Sequence, residues 1–323
     1  MVDYIIRRIL LMVPTLFLVT IIVFGLVRFI PGDVVEIMLN EQGAMQMSGE
    51  VTEVTVDMIR EKLGLHLPIH VQYGQWISNI ILHGDFGKSL WTDMKLTDEL
   101  VTRLPVTFQL GLMAILISQL VGIPLGLYSA IRQDTVGDYL GRGIAIAFIA
   151  VPAFWMGTLI QVYPSIWWGW TPPVELVEFV DNPAENLKMF AIPAAILGLE
   201  ISGITMRITR TMALEVLRQD YVRTAWAKGV KERVVIRRHV LRNSLIPVVT
   251  VIGLYLPVMV GGTVVIEQIF CLPGVGRLLL QAIMDRDYAL VSGINLIVAC
   301  FVLVAVLLTD LTYSFLDPRV RYK

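Results

Sequence analysis

Three groups of residues in this 323-residue chain carry side chains that could do chemistry at a recognisable spacing. Gly87-Lys88-Ser89 resembles the end of a phosphate-binding loop. The complete loop needs a glycine five residues before Gly87, and Leu82 stands there, so the backbone cradle is missing. His66, His70 and His83 form the second group. His66 and His70 could place two metal ligands on one helix face. Pro68 between them argues against a continuous helix, and no acidic or cysteine partner stands at ligand spacing. They read as surface histidines. The two cysteines, Cys271 and Cys300, are too few for a disulfide framework, and Cys300 lies in an apolar run as a small hydrophobe. A membrane enzyme would need paired acids, a Ser-Lys pair or histidine ligands within its spans, and the sequence has none. What remains is an acid well inside an apolar run, Glu200, and one strongly basic stretch, 207–242.

The chain is 56% hydrophobic and 16% charged, where soluble domains carry about 25% charged residues. Its mean hydropathy is +0.71. The apolar residues cluster in runs of the length that crosses a bilayer, about 20 residues. These are Ile9–Phe29, Val106–Ile131, Gly143–Tyr163, Met189–Met206, Ser244–Ile266 and Leu290–Leu311. The first follows Arg7 and Arg8, is longer than a signal-peptide core and lacks a small-residue cleavage site, so it reads as a retained anchor. Pro14, Gly122, Pro124, Pro152, Pro193 and Pro257 fall inside these runs, a pattern that suits membrane helices. The expected fold is an all-α membrane protein of about six transmembrane helices.

Charge predicts the orientation. With the N-terminus inside, segments 1–8, 132–142, 207–242 and 312–323 are cytoplasmic and hold 17 of the 26 basic residues. The 207–242 loop holds ten of them against Glu215, Asp220 and Glu232, a net charge of about +7. Segment 31–104 carries eleven acids and five bases and belongs outside, as does any nucleotide-free Gly87-Lys88-Ser89. It is too long for a bare loop. A helix over Val56–Leu63 ending at Gly64, a second over Pro68–Leu82, and a turn at Gly84-Asp85-Phe86-Gly87 predict a small, partly helical cap.

Within the basic loop, Thr211–Lys228 has helical periodicity, with Leu214, Leu217, Tyr221 and Ala225 as one apolar stripe. Gly229 suits a left-handed helix cap. A second short helix is expected from Lys231 to about Arg242. Basic residues alone would fit contact with anionic lipid. The stripe and the central glycine favour a helix–turn–helix that docks on a partner and transmits its movement.

Asp220-Tyr221-Val222-Arg223-Thr224-Ala225-Trp226-Ala227-Lys228-Gly229, followed by Arg238-His239-Val240-Leu241-Arg242-Asn243-Ser244-Leu245-Ile246-Pro247, resembles the coupling loop of binding-protein-dependent ABC importer permeases. The dipeptide/oligopeptide/nickel branch is the nearest pattern. Arg223-Thr224-Ala225 stands where the general family has Glu-Ala-Ala, and the general proline after His239 is absent, as is common in that branch. Further similar stretches follow in order. They are Ile30-Pro31-Gly32-Asp33, Gly84 to Ser89, Leu104-Pro105-Val106-Thr107, Gly122-Ile123-Pro124-Leu125-Gly126 and Val151-Pro152-Ala153-Phe154-Trp155. Glu267 to Arg277, Asp285-Arg286-Asp287-Tyr288 and Leu316 to Arg321 complete the series.

The resemblance implies a type I ABC importer permease fold, N-in and C-in, in a bacterial or archaeal plasma membrane. It divides the chain into a tail and first helix (1–30), an external domain (31–104), a five-helix transmembrane domain (105–311) and a cytoplasmic tail (312–323). It also implies a second homologous permease, two cytoplasmic ATPases that bind ATP and Mg2+, and an external solute-binding protein, with no cofactor, metal site, nucleic acid or catalysis in this chain. Arg223, Thr224, Ala225, Lys228, Gly229, His239 and Arg242 would meet the ATPase. Polar residues within spans are candidates for the substrate path: Thr107, Gln109, Ser118, Gln119, Gln161, Glu200, Ser202, Thr250 and Asn295. Glu200 is the sharpest of them, because an acid in a span is expensive. Di- or oligopeptides are the expected solutes; nickel, opine or oligosaccharide import by the same machinery is the alternative within the branch. An ion-coupled secondary transporter is the alternative of a different class, and it would show internal repeats and midplane acids.

Overall fold

The computed structural model describes residues 2–28, 60–61, 64–173 and 175–316. Among them no strand forms beyond an isolated bridge between Lys88 and Lys95. The helices in chain order are α1 (Val2–Arg28), α2 (Ile69–His83), α3 (Leu96–Ile131), α4 (Val136–Ala150), α5 (Ala153–Trp168) and α6 (Pro183–Leu217). They continue with α7 (Asp220–Ala227), α8 (Glu232–Val235), a π-helical turn over Ile236–Leu241, α9 (Arg242–Gly262), α10 (Val264–Ile269), α11 (Val275–Met284) and α12 (Tyr288–Leu316). α1, α3, α6 and α12 are each long and apolar enough to cross a membrane. Two bent helix pairs raise the number to six if each pair is one span.

The expected third span, Gly143–Tyr163, is one of those pairs: α4 and α5 meet at 88°. Pro152 explains the break. A proline drives the residue before it out of the helical region, and Val151 is extended at φ −90°, ψ 116°. Pro152 then caps α5. The expected fifth span is also bent, by 42° between Leu245 and Pro247. The expected fourth span, Met189–Met206, is only the middle of α6. Asn182 accepts the Glu185 N–H at 3.2 Å and Pro183 opens the first turn, so α6 starts six residues earlier. At 1.5 Å per residue its 35 residues reach about 52 Å, well beyond a hydrocarbon core of about 30 Å.

The described residues divide into two compact units. The first contains the described residues among 103–277 with 2–6 and 301–316. Its centre is α6, whose most apolar window is 56% buried. Small residues bring α6 close to its neighbours, as in membrane helix pairs generally. A Cβ on Gly126 of α3 would stand 2.6 Å from the Met206 carbonyl, and one on Gly203 of α6 would stand 2.6 Å from the Ala145 carbonyl of α4. The apolar core between α3, α6 and α10 includes Val106, Leu110, Phe190, Ile196, Ile266 and Phe270.

The second unit contains the described residues among 7–102 and 278–300. Here α1 and α2 meet through Phe24, Tyr73 and Trp76, with ring centroids 5.4 to 6.2 Å apart. The Tyr73 hydroxyl lies 2.8 Å from Thr20 Oγ1. α2 ends at Gly84 in the left-handed region, φ +62°, with its N–H and that of Asp85 returned to Ile80 and Asn79. Only 11% of the apolar window of α1 is buried against the other described residues. Of the expected Val56–Leu63 helix, Arg60 and Glu61 are described; Leu65 N–H reaches the Arg60 carbonyl at 2.9 Å, and Gly64 takes φ +67°. The remainder of that helix, Ile30-Pro31-Gly32-Asp33 and the tail 317–323 lie outside the described residues. Residues 278–300 pack with described residues before 103. Gly293 permits that: a Cβ there would stand 2.3 Å from Leu96 and 2.8 Å from the Phe86 carbonyl.

Candidate functional site

The basic segment 207–242 is helical almost throughout, and its breaks give it shape. The expected single helix 211–228 is two. α6 stops at Leu217, Gln219 turns extended at ψ 145°, and α7 starts at Asp220. The break moves the buried stripe. Val222 and Ala225 face inward with Val235, supported by Val216 and Val230, while Tyr221 is 45% exposed. A second small core of Ala130, Ala213 and Val240 lies beneath the end of α6. The hairpin therefore stands on its own apolar footing, which is what makes it a fixed shape.

Gly229 closes α7 at φ +74°, in open space. Its N–H bonds the Trp226 carbonyl, and Val230 N–H bonds the Ala225 carbonyl. The expected separate helix from Lys231 to Arg242 is instead the beginning of a longer one. α8 passes through the π-helical turn directly into α9, because Val235, Ile236, Leu241 and Arg242 all keep helical backbone angles. Asn243 ties the two arms, donating to the Tyr221 hydroxyl at 3.0 Å and to the His239 carbonyl at 2.7 Å. The rings of Tyr221 and His239 lie 6.3 Å apart.

The outer face of the hairpin presents Tyr221, Arg223, Thr224, Trp226, Lys228 and Gly229 to solvent, and Arg242 is exposed on the second arm. Ala225 is buried rather than presented, and His239 is half-buried. Arg223 reaches only Asp220, at 3.8 Å, with both side chains largely exposed. Two large aromatic rings among exposed cations make a surface able to bury area and pair charge at once.

The other candidate residues scatter. Glu200 is half-buried on the wall of a cavity of about 480 Å3 between α4, α5 and α6, otherwise lined by apolar residues including Phe148, Met156 and Leu199. Gln109 is half-buried and bonded to Asn186. Gln119 donates to Ser118 at 2.7 Å, and its carbonyl oxygen is buried without a partner. Ser202 is buried and Asn295 half-buried, each bonding its own helix, at the Leu199 and Val291 carbonyls. Gln161 and Thr250 are half-buried. Thr107 is 2% exposed and faces Glu267. Thr107 and Gln109 line one cavity and Glu200 another.

Three buried acids organise the structure, and the sequence reading gave none of them a role. Glu267 is fully buried and accepts from Thr107 Oγ1 at 2.8 Å, Thr263 Oγ1 at 2.9 Å and Arg277 N–H at 3.0 Å. Asp138 is fully buried beneath Arg210, Ser129 and the Asp134 N–H. Asp287, at 1% exposure, accepts from Ser89 Oγ, Leu90 N–H and Leu290 N–H at 2.9, 2.9 and 3.1 Å. Burial pushes the Asp287 carboxyl above its ordinary range, against these three donors. Ser89 of the apparent phosphate-binding fragment is thus a structural donor. Lys88 beside it pairs with Asp93 at 3.7 Å. The three histidines are exposed, and the described residues hold no group of three or more metal-ligand side chains.

Comparison with known proteins places this architecture. The family of binding-protein-dependent transport system inner membrane components matches residues 122–322, and the N-terminal region of such membrane components matches 1–111. A chain of Brucella abortus strain 2308, assigned as a peptide transport system permease protein, is 40% identical over 323 residues, covering all of both chains. The oligopeptide transport system permease protein AppB of Bacillus subtilis is 37% identical over 326 residues, and the dipeptide transport system permease protein DppB of Escherichia coli K12 is 35% identical over 346, again over all of both chains. A solved chain of an amino acid ABC transporter crystallised with histidines overlaps 69% of this chain at 15% identity, with a TM-score of 0.49. The chain belongs to the inner-membrane permease family of binding-protein-dependent ABC transport systems. It is a membrane-spanning permease subunit rather than a soluble component.

Proposed function

We propose that this permease forms half of the path by which di- or oligopeptides enter the cell, and that the hairpin 218–242 receives the stroke of a cytoplasmic ATPase. The observation that carries the reading is the hairpin itself. Its Tyr221, Arg223, Trp226 and Lys228 face outward from a private apolar core, and both arms continue into apolar helices, α6 and α9. A force applied at Trp226 therefore reaches the membrane across the Gly229 turn and the bent α8–α9 run on one side, and across the Arg218-Gln219 joint on the other.

Peptide as the solute rests on the names of the relatives above. The same kinship supports the other parts of the assembly: a second permease, two ATPases that bind ATP and Mg2+, and an external binding protein that carries most of the selectivity. This chain hydrolyses nothing on that reading. The charge of the 207–242 loop supports an N-in, C-in orientation with six spans. ATP and loaded binding protein each stabilise a different arrangement of the spans, which is how alternating access arises from differential contacts. Glu200, the charged group on the wall of an apolar cavity, suits the amino group of a passing peptide.

Gentle purification of the tagged chain from its native membrane tests the assembly. Recovery of two ATPases and a second permease is the expected result. A chain that purifies alone, under conditions that keep related complexes together, would contradict the docking role of the hairpin.

A further inference from the structure

Asp138 has more arginines around it than it can serve. Its Oδ1 takes Arg210 Nε at 2.9 Å and Ser129 Oγ; its Oδ2 takes Arg210 Nη2 at 2.8 Å and the Asp134 N–H at 3.1 Å. Those four donors fill the acceptor sites of one carboxylate. Arg142, one turn along α4, lies over the Tyr139 ring at 4.5 Å, and its buried Nε stands 3.5 Å from Oδ1 without a hydrogen bond. Arg207, one turn before Arg210 on α6, is exposed. Arg142, Arg207 and Arg210 line one cavity of about 320 Å3 between α4 and α6, together with Ala145, Ile146 and Met206. Asp134, exposed beside this pair, also acts on Arg210, so two acids and three arginines leave the cleft with a surplus of about one positive charge.

We infer that this cleft binds the phosphate of an anionic phospholipid, held by Arg142 and Arg207 over the Asp138–Arg210 pair. Guanidinium groups with unfilled donors match phosphate oxygens in geometry as well as charge. The placement selects a lipid over a soluble anion. The apolar run of α6 ends at Met206, one residue before Arg207, so the cleft lies where hydrocarbon gives way to headgroups. Its remaining wall is Ala145, Ile146 and Met206 with Thr211, and Leu140, Ile144 and Ile146 are 62%, 43% and 62% exposed along α4, a surface for acyl chains below the headgroup. The cleft shares α6 with the docking hairpin, so a lipid there would hold the helix that leads to it.

The test uses the intact transport complex, stripped of lipid in detergent and examined by native mass spectrometry with phosphatidylglycerol, phosphatidylcholine or inorganic phosphate. Wild-type complex is expected to keep phosphatidylglycerol against phosphatidylcholine and against millimolar phosphate. Arg142→Gln with Arg207→Gln leaves the Asp138–Arg210 pair intact and is expected to weaken that binding about thirty-fold. Arg142→Lys with Arg207→Lys is expected to retain most of it, which separates loss of charge from loss of fold. Equal phosphatidylglycerol binding by wild type and the glutamine variant would overturn the inference. So would displacement by inorganic phosphate, which would assign a free anion, and so would absence of phosphatidylglycerol from the wild-type complex.

Discussion

Asp138 and Arg210 meet through two parallel hydrogen bonds, Nε to Oδ1 at 2.9 Å and Nη2 to Oδ2 at 2.8 Å, although 72 positions separate them in the chain. Asp138 is fully buried and the Arg210 side chain is 18% exposed. Such a pair holds α4 to α6 near the point where α6 leads into the hairpin. Breaking one partner leaves the other charged and enclosed, at a cost of roughly 3–5 kcal/mol, whereas replacing both with apolar residues can be neutral. Asp138→Asn is expected to lower the melting temperature of the purified complex sharply, and Asp138→Leu with Arg210→Met to recover most of the loss. Equal melting of the single and double variants would contradict a coupled pair.

Gly229 sits at φ +74° with no neighbour within 4 Å, so only backbone strain opposes a side chain there. Gly229→Ala should cost about 1–2 kcal/mol at the turn, and Gly229→Asn less, because asparagine tolerates the left-handed region. Transport is expected to fall in the order Gly, Asn, Ala while the complex still assembles. Full activity of the alanine variant would show that the shape of the turn is immaterial.

Thr107 serves two buried groups at once, donating to Glu267 and accepting from Val275 N–H at 2.9 Å. Thr107→Val keeps the shape and removes the hydroxyl, leaving both partners short at roughly 1–3 kcal/mol per unpaired group. Thr107→Ser keeps the bonds. The valine variant should lose stability in thermal denaturation and the serine variant should not; similar curves for the two would refute the hydroxyl's role.

Asp287 gives a pH dependence. Its folded-state carboxyl lies above the ordinary range because burial disfavours the charge. A raised acid contributes stability below the unfolded pKa, about 3.9, and loses it as pH rises through the folded value. Wild type should therefore gain stability relative to Asp287→Asn as pH is lowered from neutral through that raised value. A difference between the two that stays constant with pH would contradict it.

The membrane character, the helical fold and the position of the basic hairpin were legible because apolar length and charge segregation are properties of contiguous sequence. The left-handed cap at Gly229 was legible for the same reason. The 88° break at Pro152 was less so, since a proline inside an apolar run can kink a membrane helix or end it, and only the neighbouring packing decides. The register of α7 shifted because one extended residue, Gln219, restarts the helical phase, turning Val222 inward and Tyr221 outward. The three buried acids were hidden for a different reason. Asp138 and Arg210, Glu267 and Thr107, and Asp287 and Ser89 are separated by 72, 160 and 198 positions, and no local pattern announces such a pairing.

The proposed function is tested most directly by uptake of a labelled dipeptide or oligopeptide into vesicles containing the complete complex and its binding protein. ATP on the hairpin side should be required. Arg223→Glu with Lys228→Glu should abolish uptake without altering the melting of the isolated permease. Uptake that follows an imposed proton or sodium gradient without ATP, and that ignores those two substitutions, would contradict the account.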